Sequence, residues 1–339
     1  MDRNKYLYVY SNIFFTKGYT RTMVYDCCTQ RTLFFENAFY ALLDEFRKHK
    51  IDSIINKYAN VDVLGFAEFL VSNNFASLVN DISLFPTLKK VWFSPNEMEN
   101  AIIDIDSTSN HNYKKISEEL QALHCAHLEI RIFYDADIQK LSNIARHFYK
   151  ADFKSVDIIV KYKEGINPPD YLQLAAQYPP LSIFVYEAPS DTYHKSLIDT
   201  TYHGIGFVCY LKQKIEATTD CGIINRSSFC LPSSISNFTE GILKNKCLNR
   251  KLSITVDGQI KNCPCMSKAY GNIRDHSIAE IFRSNEFQKY WDITKDEIRV
   301  CKDCEYRYIC NDCRAFVTDI YDKPLKCKYN PYKPQIRNL

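Results

Sequence analysis

Glycine is scarce in this chain, with 9 among 339 residues, well under the ~7% share usual for proteins. The scarcity has consequences for nucleotide chemistry. The phosphate-cradling patterns G-x-x-x-x-G-K-[ST] and G-x-G-x-x-G are absent, and so are the nucleophile elbow G-x-S-x-G and the zinc-protease pattern H-E-x-x-H. No apolar run approaches the ~20 residues of a membrane helix. The N-terminal stretch, Met1-Asp2-Arg3-Asn4-Lys5 and then residues 6–15, is too polar for a secretory signal and lacks its small-residue cleavage site. A cytoplasmic protein without a membrane partner is expected. An excess of one charge sign is also missing: 43 basic against 40 acidic residues leave a net charge of +3. No basic field invites nucleic acid.

Cysteine is what the chain has in plenty, with 14 residues. A disulfide framework belongs to small exported chains, so tight C-x-x-C spacing here points to metal or redox chemistry. Eight of the cysteines lie between 247 and 327. Cys247 is followed after ten residues by Gly258 and after four more by Cys263; then come Cys301-x2-Cys304-x5-Cys310-x2-Cys313 and, after thirteen intervening residues, Cys327. Thiolates this close repel one another unless a metal compensates their charge, and that binding is also folding free energy. Zinc needs four ligands, which Cys301, Cys304, Cys310 and Cys313 alone would supply. Iron–sulfur clusters also take four thiolates each, and seven or eight cysteines match two clusters better than one zinc.

This order of cysteines, with the phrases Lys261-Asn262-Cys263-Pro264, Tyr270-Gly271-Asn272-Ile273 and Cys310-Asn311-Asp312-Cys313-Arg314, resembles the SPASM domain. The pattern covers about a quarter of the chain. The resemblance implies two auxiliary [4Fe-4S] clusters. By position the first takes Cys247, Cys263 and Cys313, and the second takes Cys301, Cys304, Cys310 and Cys327. For the fourth ligand of the first cluster, Cys265, Cys221 and an open iron remain as alternatives. One spacing departs from the family: two residues separate Cys310 and Cys313 where three are usual. The C-x3-C-x2-C loop of radical-SAM enzymes is absent, as is their Gly-Gly-Glu run, so cleavage of S-adenosylmethionine is not expected.

A SPASM domain without that loop resembles the SPASM-domain peptide maturase of grasp-with-spasm systems. The phrases from Cys301 to Ala315 and from Pro324 to Tyr332 carry that likeness. It implies a ribosomal precursor peptide and an ATP-grasp ligase as partners, and maturation of the peptide as the function. A non-catalytic scaffold that presents the precursor to the ligase is the alternative. A zinc-stabilised interaction module is the second alternative.

Periodicity organises the rest. Segments 20–26 and 31–36 read as a hairpin, residues 38–46, 51–58 and 64–71 as helices, and 75–79 as a strand. That order resembles the PqqD-like leader-recognition fold, which binds a peptide as an added strand. Cys27 and Cys28 fall at the hairpin turn and read as incidental surface thiols. From residue 86 strands alternate with helices: strands at 90–93, 102–106, 128–133, 156–160, 181–186 and 206–211, and helices at 116–123, 138–148 and 171–177. Alternation implies a mainly parallel sheet. The expected architecture is α/β: a leader-recognition-like α+β domain over 1–85, a degenerate partial radical-SAM-like (β/α) barrel over 86–240 and a SPASM domain over 241–339. His124 and His127 would share a helical face as a weak metal pair. Asp104, Asp106, Glu129 and Asp135 lie near strand ends, and none stands out as a general base.

Overall fold

A computed structural model describes residues 1–149, 151–195, 206–218, 220 and 234–333. The N-terminal unit contains β1 (Tyr6–Val9), β2 (Ile13–Lys17), β3 (Arg21–Asp26), β4 (Thr32–Glu36), α1 (Leu42–Phe46), α2 (Ile51–Lys57), α3 (Val63–Ser72) and β5 (Ala76–Val79). Strands β2, β3 and β4 form an antiparallel sheet in that order, while β1 pairs with β5. Strand alternation gives the three-stranded sheet two apolar faces. Ile13, Phe15, Val24, Leu33 and Phe35 face the helices, where they meet Phe46, Phe66 and Leu70. Phe14, Met23, Tyr25 and Phe34 face the other way and pack on Phe238 and on Tyr306, Ile309 and Cys310 of the cysteine-rich segment. The sheet is therefore the filling between the helices and the cysteine-rich segment. The Asp62 side chain caps α3 by accepting from the Gly65 N–H at 2.8 Å.

The middle of the chain alternates β6 (Asn100–Ile105), α4 (Tyr113–Ala122), β7 (His127–Ile132), α5 (Ile138–Ala145), β8 (Ser155–Lys161), α6 (Pro168–Gln177) and β9 (Leu181–Tyr186), followed by β10 (Thr192–Lys195) and β11 (Phe207–Tyr210). Then come α7 (Ile235–Leu243), β12 (Lys251–Ile254), β13 (Ile260–Lys261), α8 (Ile278–Phe282) and α9 (Asn285–Gln288). One eight-stranded sheet has the order β10-β11-β9-β8-β7-β6-β12-β13. Its six inner strands are parallel and its two edge strands antiparallel. The fold is a mixed α/β arrangement around a large, mainly parallel sheet. β12 pairs with β6 (Ser253 opposite Ile102), so the sheet runs on past residue 240.

The faces of this sheet differ. Ala101, Ile103, Leu128, Ile130, Val156, Ile158, Ile183 and Val185 pack under Ile116, Leu120, Leu141, Ile144 and Leu174 of the helices. The register puts Glu129 opposite Asp157 and Arg131 opposite Asp104 on the other, polar face. Residues 90–93, expected as a strand, run without regular structure. They have β-forming side chains but no strand to pair with, and Val91 and Phe93 are 65% and 78% exposed.

Candidate metal centre

Cys247 and Cys263 flank the β12–β13 hairpin on the end of the large sheet. The glycine of the motif closes the turn between them. Gly258 has φ +86°, and a Cβ there would stand 2.9 Å from Asn272 Oδ1, so only glycine fits without strain. Asn245 shapes the approach. Its Oδ1 accepts from the N–H groups of Cys247 (3.1 Å) and Leu248 (3.0 Å), while its Nδ2 donates to Asp312 Oδ2 at 2.6 Å. That bond ties Cys247 to the residue preceding Cys313. Burial pushes the Cys247 thiol up to about 12; Lys251 opposes the rise, and Cys263, Cys313 and Asp312 add to it. These three cysteines are thus electrostatic neighbours.

Cys301, Cys304, Cys310 and Cys327 form a second neighbourhood held by turns. Cys304 N–H donates to Cys301 O at 2.9 Å, closing the C-x-x-C turn, and Cys310 N–H donates to Tyr306 O at 3.0 Å. Burial pushes the Cys310 thiol up to about 11; Lys295 opposes it, and Asp312, Cys327 and Cys301 reinforce it. Burial raises Cys304 well above the usual thiol value, with added effects from Glu305, Cys310 and Cys301. Just before Cys301, Val300 stands at φ +67°, a strained conformation for a β-branched residue.

Buried charges surround the second group. Lys295 Nζ lies 2.8 Å from Asp312 Oδ1 and 4.0 Å from Cys301 Sγ. Arg314 Nη2 reaches the same Asp312 oxygen at 2.7 Å. From the N-terminal sheet, Arg21 Nε contacts Glu305 Oε1 at 2.8 Å, Tyr19 N–H donates to Asp303 O at 2.7 Å, and Arg307 Nη1 donates to Lys17 O at 2.7 Å. The β2–β3 turn therefore grips the loop between Cys301 and Cys310. Sequence reading missed these charges, because Lys, Asp and Arg signal solvent when met in isolation.

The other cysteines stand apart. Cys265 Sγ lies 3.5 Å from Thr218 O and beside Arg131 on the polar face of the sheet. Cys221 lies outside the described residues. Cys28 is exposed, but Cys27 is half-buried against the core that holds Cys310, which corrects its reading as a surface thiol. The twelve described cysteines form no disulfide with one another. Among the described residues, no three His, Cys, Asp or Glu side chains are gathered as a cage for a single ion.

On the polar face, Arg131 holds Asp104 through bonds of 2.7 and 2.8 Å. Burial pushes Asp157 up to about 6, with Glu129 adding repulsion. Glu129, Arg131, Phe184, Tyr186 and Asp220 line a cavity of about 220 Å³ there. His124 and His127 do not share a helical face. His124 follows α4 at φ +48°, and His127 opens β7 with Nδ1 2.9 Å from Ser155 Oγ. Asp106 accepts turn bonds from Thr108 and Ser109, as befits a loop residue.

Residues 246–305 match the SPASM family, an iron-sulfur cluster-binding domain. The chain is also 30% identical over 110 residues to the AdoMet-dependent heme synthase of Oleidesulfovibrio alaskensis. That match covers 30% of this chain and spans only 28% of the relative's length. Structures of Streptococcus suis SuiB, bound to S-adenosylmethionine or to its precursor peptide SuiA, align over 95% of this chain and 100% of SuiB. Their identities are 10% and 9% and their TM-scores 0.38 and 0.37, too low to carry an inference of fold or activity. The chain thus contains a SPASM iron–sulfur domain. Cys310, Cys313 and Cys327 lie beyond the matched residues. Among the described residues, no helix is long and apolar enough to cross a membrane.

Proposed function

We propose that this chain is an iron–sulfur protein of ribosomal-peptide maturation that works beside an ATP-grasp ligase. Its middle sheet is read as a shortened radical-SAM-like barrel, and its site as cytoplasmic. The observation that carries the reading is the SPASM segment together with two neighbourhoods of buried and half-buried thiols. Cys247, Cys263 and Cys313 would hold one [4Fe-4S] cluster, with Cys265, Cys221 or an open iron completing it. Cys301, Cys304, Cys310 and Cys327 would hold the other. The donor set fits: thiols are the ligands such clusters take. When bound, the clusters supply one-electron transfer or a staple for the fold.

The chain's own residues do the rest. Asn245 and the Gly258 turn orient the first thiols. The Arg21–Glu305 pair and the β2–β3 turn hold the second group against the N-terminal sheet. That sheet has an open edge at β4, and the Asp26 N–H bond to Arg31 O (3.0 Å) sets the ladder's phase. Thr32, Phe34 and Glu36 therefore point their backbone groups away from β3. The three strands followed by three helices support reading this unit as the leader-recognition domain. An extended precursor segment would add there as a fourth strand.

The C-x3-C-x2-C loop is absent from the sequence, which favours a second reading, a scaffold that presents the precursor to the ligase. Intact-mass analysis after co-expression separates the two. Modification of the precursor by this chain alone supports a maturase. A mass change that requires the ligase and equals loss of water supports the scaffold. No binding of the precursor by the purified chain contradicts both.

A further inference from the structure

We infer that Lys295 is the buried counter-charge of the second thiol group and sets the reduction potential of the centre held by Cys301, Cys304, Cys310 and Cys327. The inference rests on the iron–sulfur reading above. Its basis is a charge count. Lys295, Asp312 and Arg314 are 4%, 1% and 2% exposed, and both cations contact the same carboxylate oxygen, at 2.8 and 2.7 Å. Two positive charges on one negative charge leave one unmatched.

Among the described residues, no ion pair joins a further carboxylate to Lys295 or Arg314. Arg21 is paired with Glu305, and the charge of Glu240 acts on Lys246. A buried, unmatched charge is costly and persists only beside a compensating partner. Groups able to become anions stand beside it: Cys301 Sγ lies 4.0 Å from Lys295 Nζ, and Cys310 acts on the same ammonium. A neutral thiol compensates nothing. A thiolate bound to a metal centre carries the missing negative charge, and an ammonium aimed at it makes a charge-assisted hydrogen bond.

The direct contact is with the second group. Lys295 weighs on Cys301 and Cys310. The charges weighing most on Cys247 are Lys251, Cys263, Cys313 and Asp312. Adding one electron to a cluster adds one negative charge, which a buried cation favours. Removing Lys295 must therefore lower the potential of the second centre, and by more than that of the first. Asp312 remains held by Arg314 and Asn245, so the loss of the ammonium leaves no orphaned carboxylate.

The test uses the full chain, purified anaerobically, as wild type, Lys295→Gln and Lys295→Arg. Iron and acid-labile sulfide are counted, and the centres are titrated with dithionite under electron paramagnetic resonance. In Lys295→Gln one midpoint potential is expected to fall by a tenfold change in the reduction equilibrium or more, about 59 mV for one electron, with the other shifted less. Lys295→Arg should stay within a few-fold of wild type. If Lys295→Gln loses half of the iron while Lys295→Arg keeps it, the counter-charge role also holds. Two unmoved potentials with full iron in Lys295→Gln, or equal iron loss in both variants, overturn the inference. A wild type without acid-labile sulfide overturns the iron–sulfur reading itself, before any variant is compared.

Discussion

The two thiol neighbourhoods are built in opposite ways. Cys247 and Cys263 flank a hairpin that extends an eight-stranded sheet, whose strand β12 is fixed by ladder bonds to β6 and β13. Cys301, Cys304, Cys310 and Cys327 sit in turns, with one short 3₁₀ segment at Cys301–Asp303. Buried ion pairs and an apolar contact with the N-terminal sheet hold that segment instead. The first site is scaffolded by secondary structure. The second is assembled from long-range polar contacts and so would depend more on a bound metal and on its charges.

Stripping the metal tests that contrast with the largest expected effect. Metal–thiolate binding supplies ~10 kcal/mol or more to small domains that cannot fold without it. After chelation, hydrogen exchange should accelerate strongly over residues 301–313 and leave β12 and β6 protected. Equal loss in both segments would erase the distinction. Next in size is Glu305→Ala. Glu305 is fully buried, and its partner Arg21 would be left uncompensated; breaking such a pair costs ~3–5 kcal/mol. Denaturant titration should show that loss, with increased exchange in β2 and β3.

Asp157→Asn probes the polar face of the sheet. Its folded pKa, about 6, lies above the usual carboxyl value because burial and Glu129 disfavour the charge. The wild type therefore loses stability as pH rises from about 4 through about 6, and the Asn variant does not. Thermal melts at pH 4 and pH 8 should show the variant gaining only at pH 8. The smallest effect is expected from Val300→Gly. Releasing the φ +67° strain should stabilise the chain by ~1 kcal/mol, partly offset by the entropy glycine loses on folding.

Much of the fold was legible in the sequence because its cues are local. The apolar runs of β7, β8 and β9 and the 3.6-residue spacing of α3, α4 and α5 announce themselves, and so does the β3–β4 hairpin. The grouping of cysteines was legible as spacing. Long-range pairing was not. Nothing in residues 251–254 announces that β12 lies beside β6, some 150 residues earlier. β1 and β2 were missed because their aromatic residues are interrupted by Ser11 and Asn12 without a strong turn signal. Lys295, Asp312 and Arg314 look like surface residues until folding buries them together.

The most direct test of the central claim is the iron and acid-labile sulfide content of the anaerobically purified chain, with Cys304→Ala beside it. Two [4Fe-4S] clusters require about eight of each per chain, falling to about four in the variant. About one zinc per chain without sulfide would contradict the account and leave a structural zinc module.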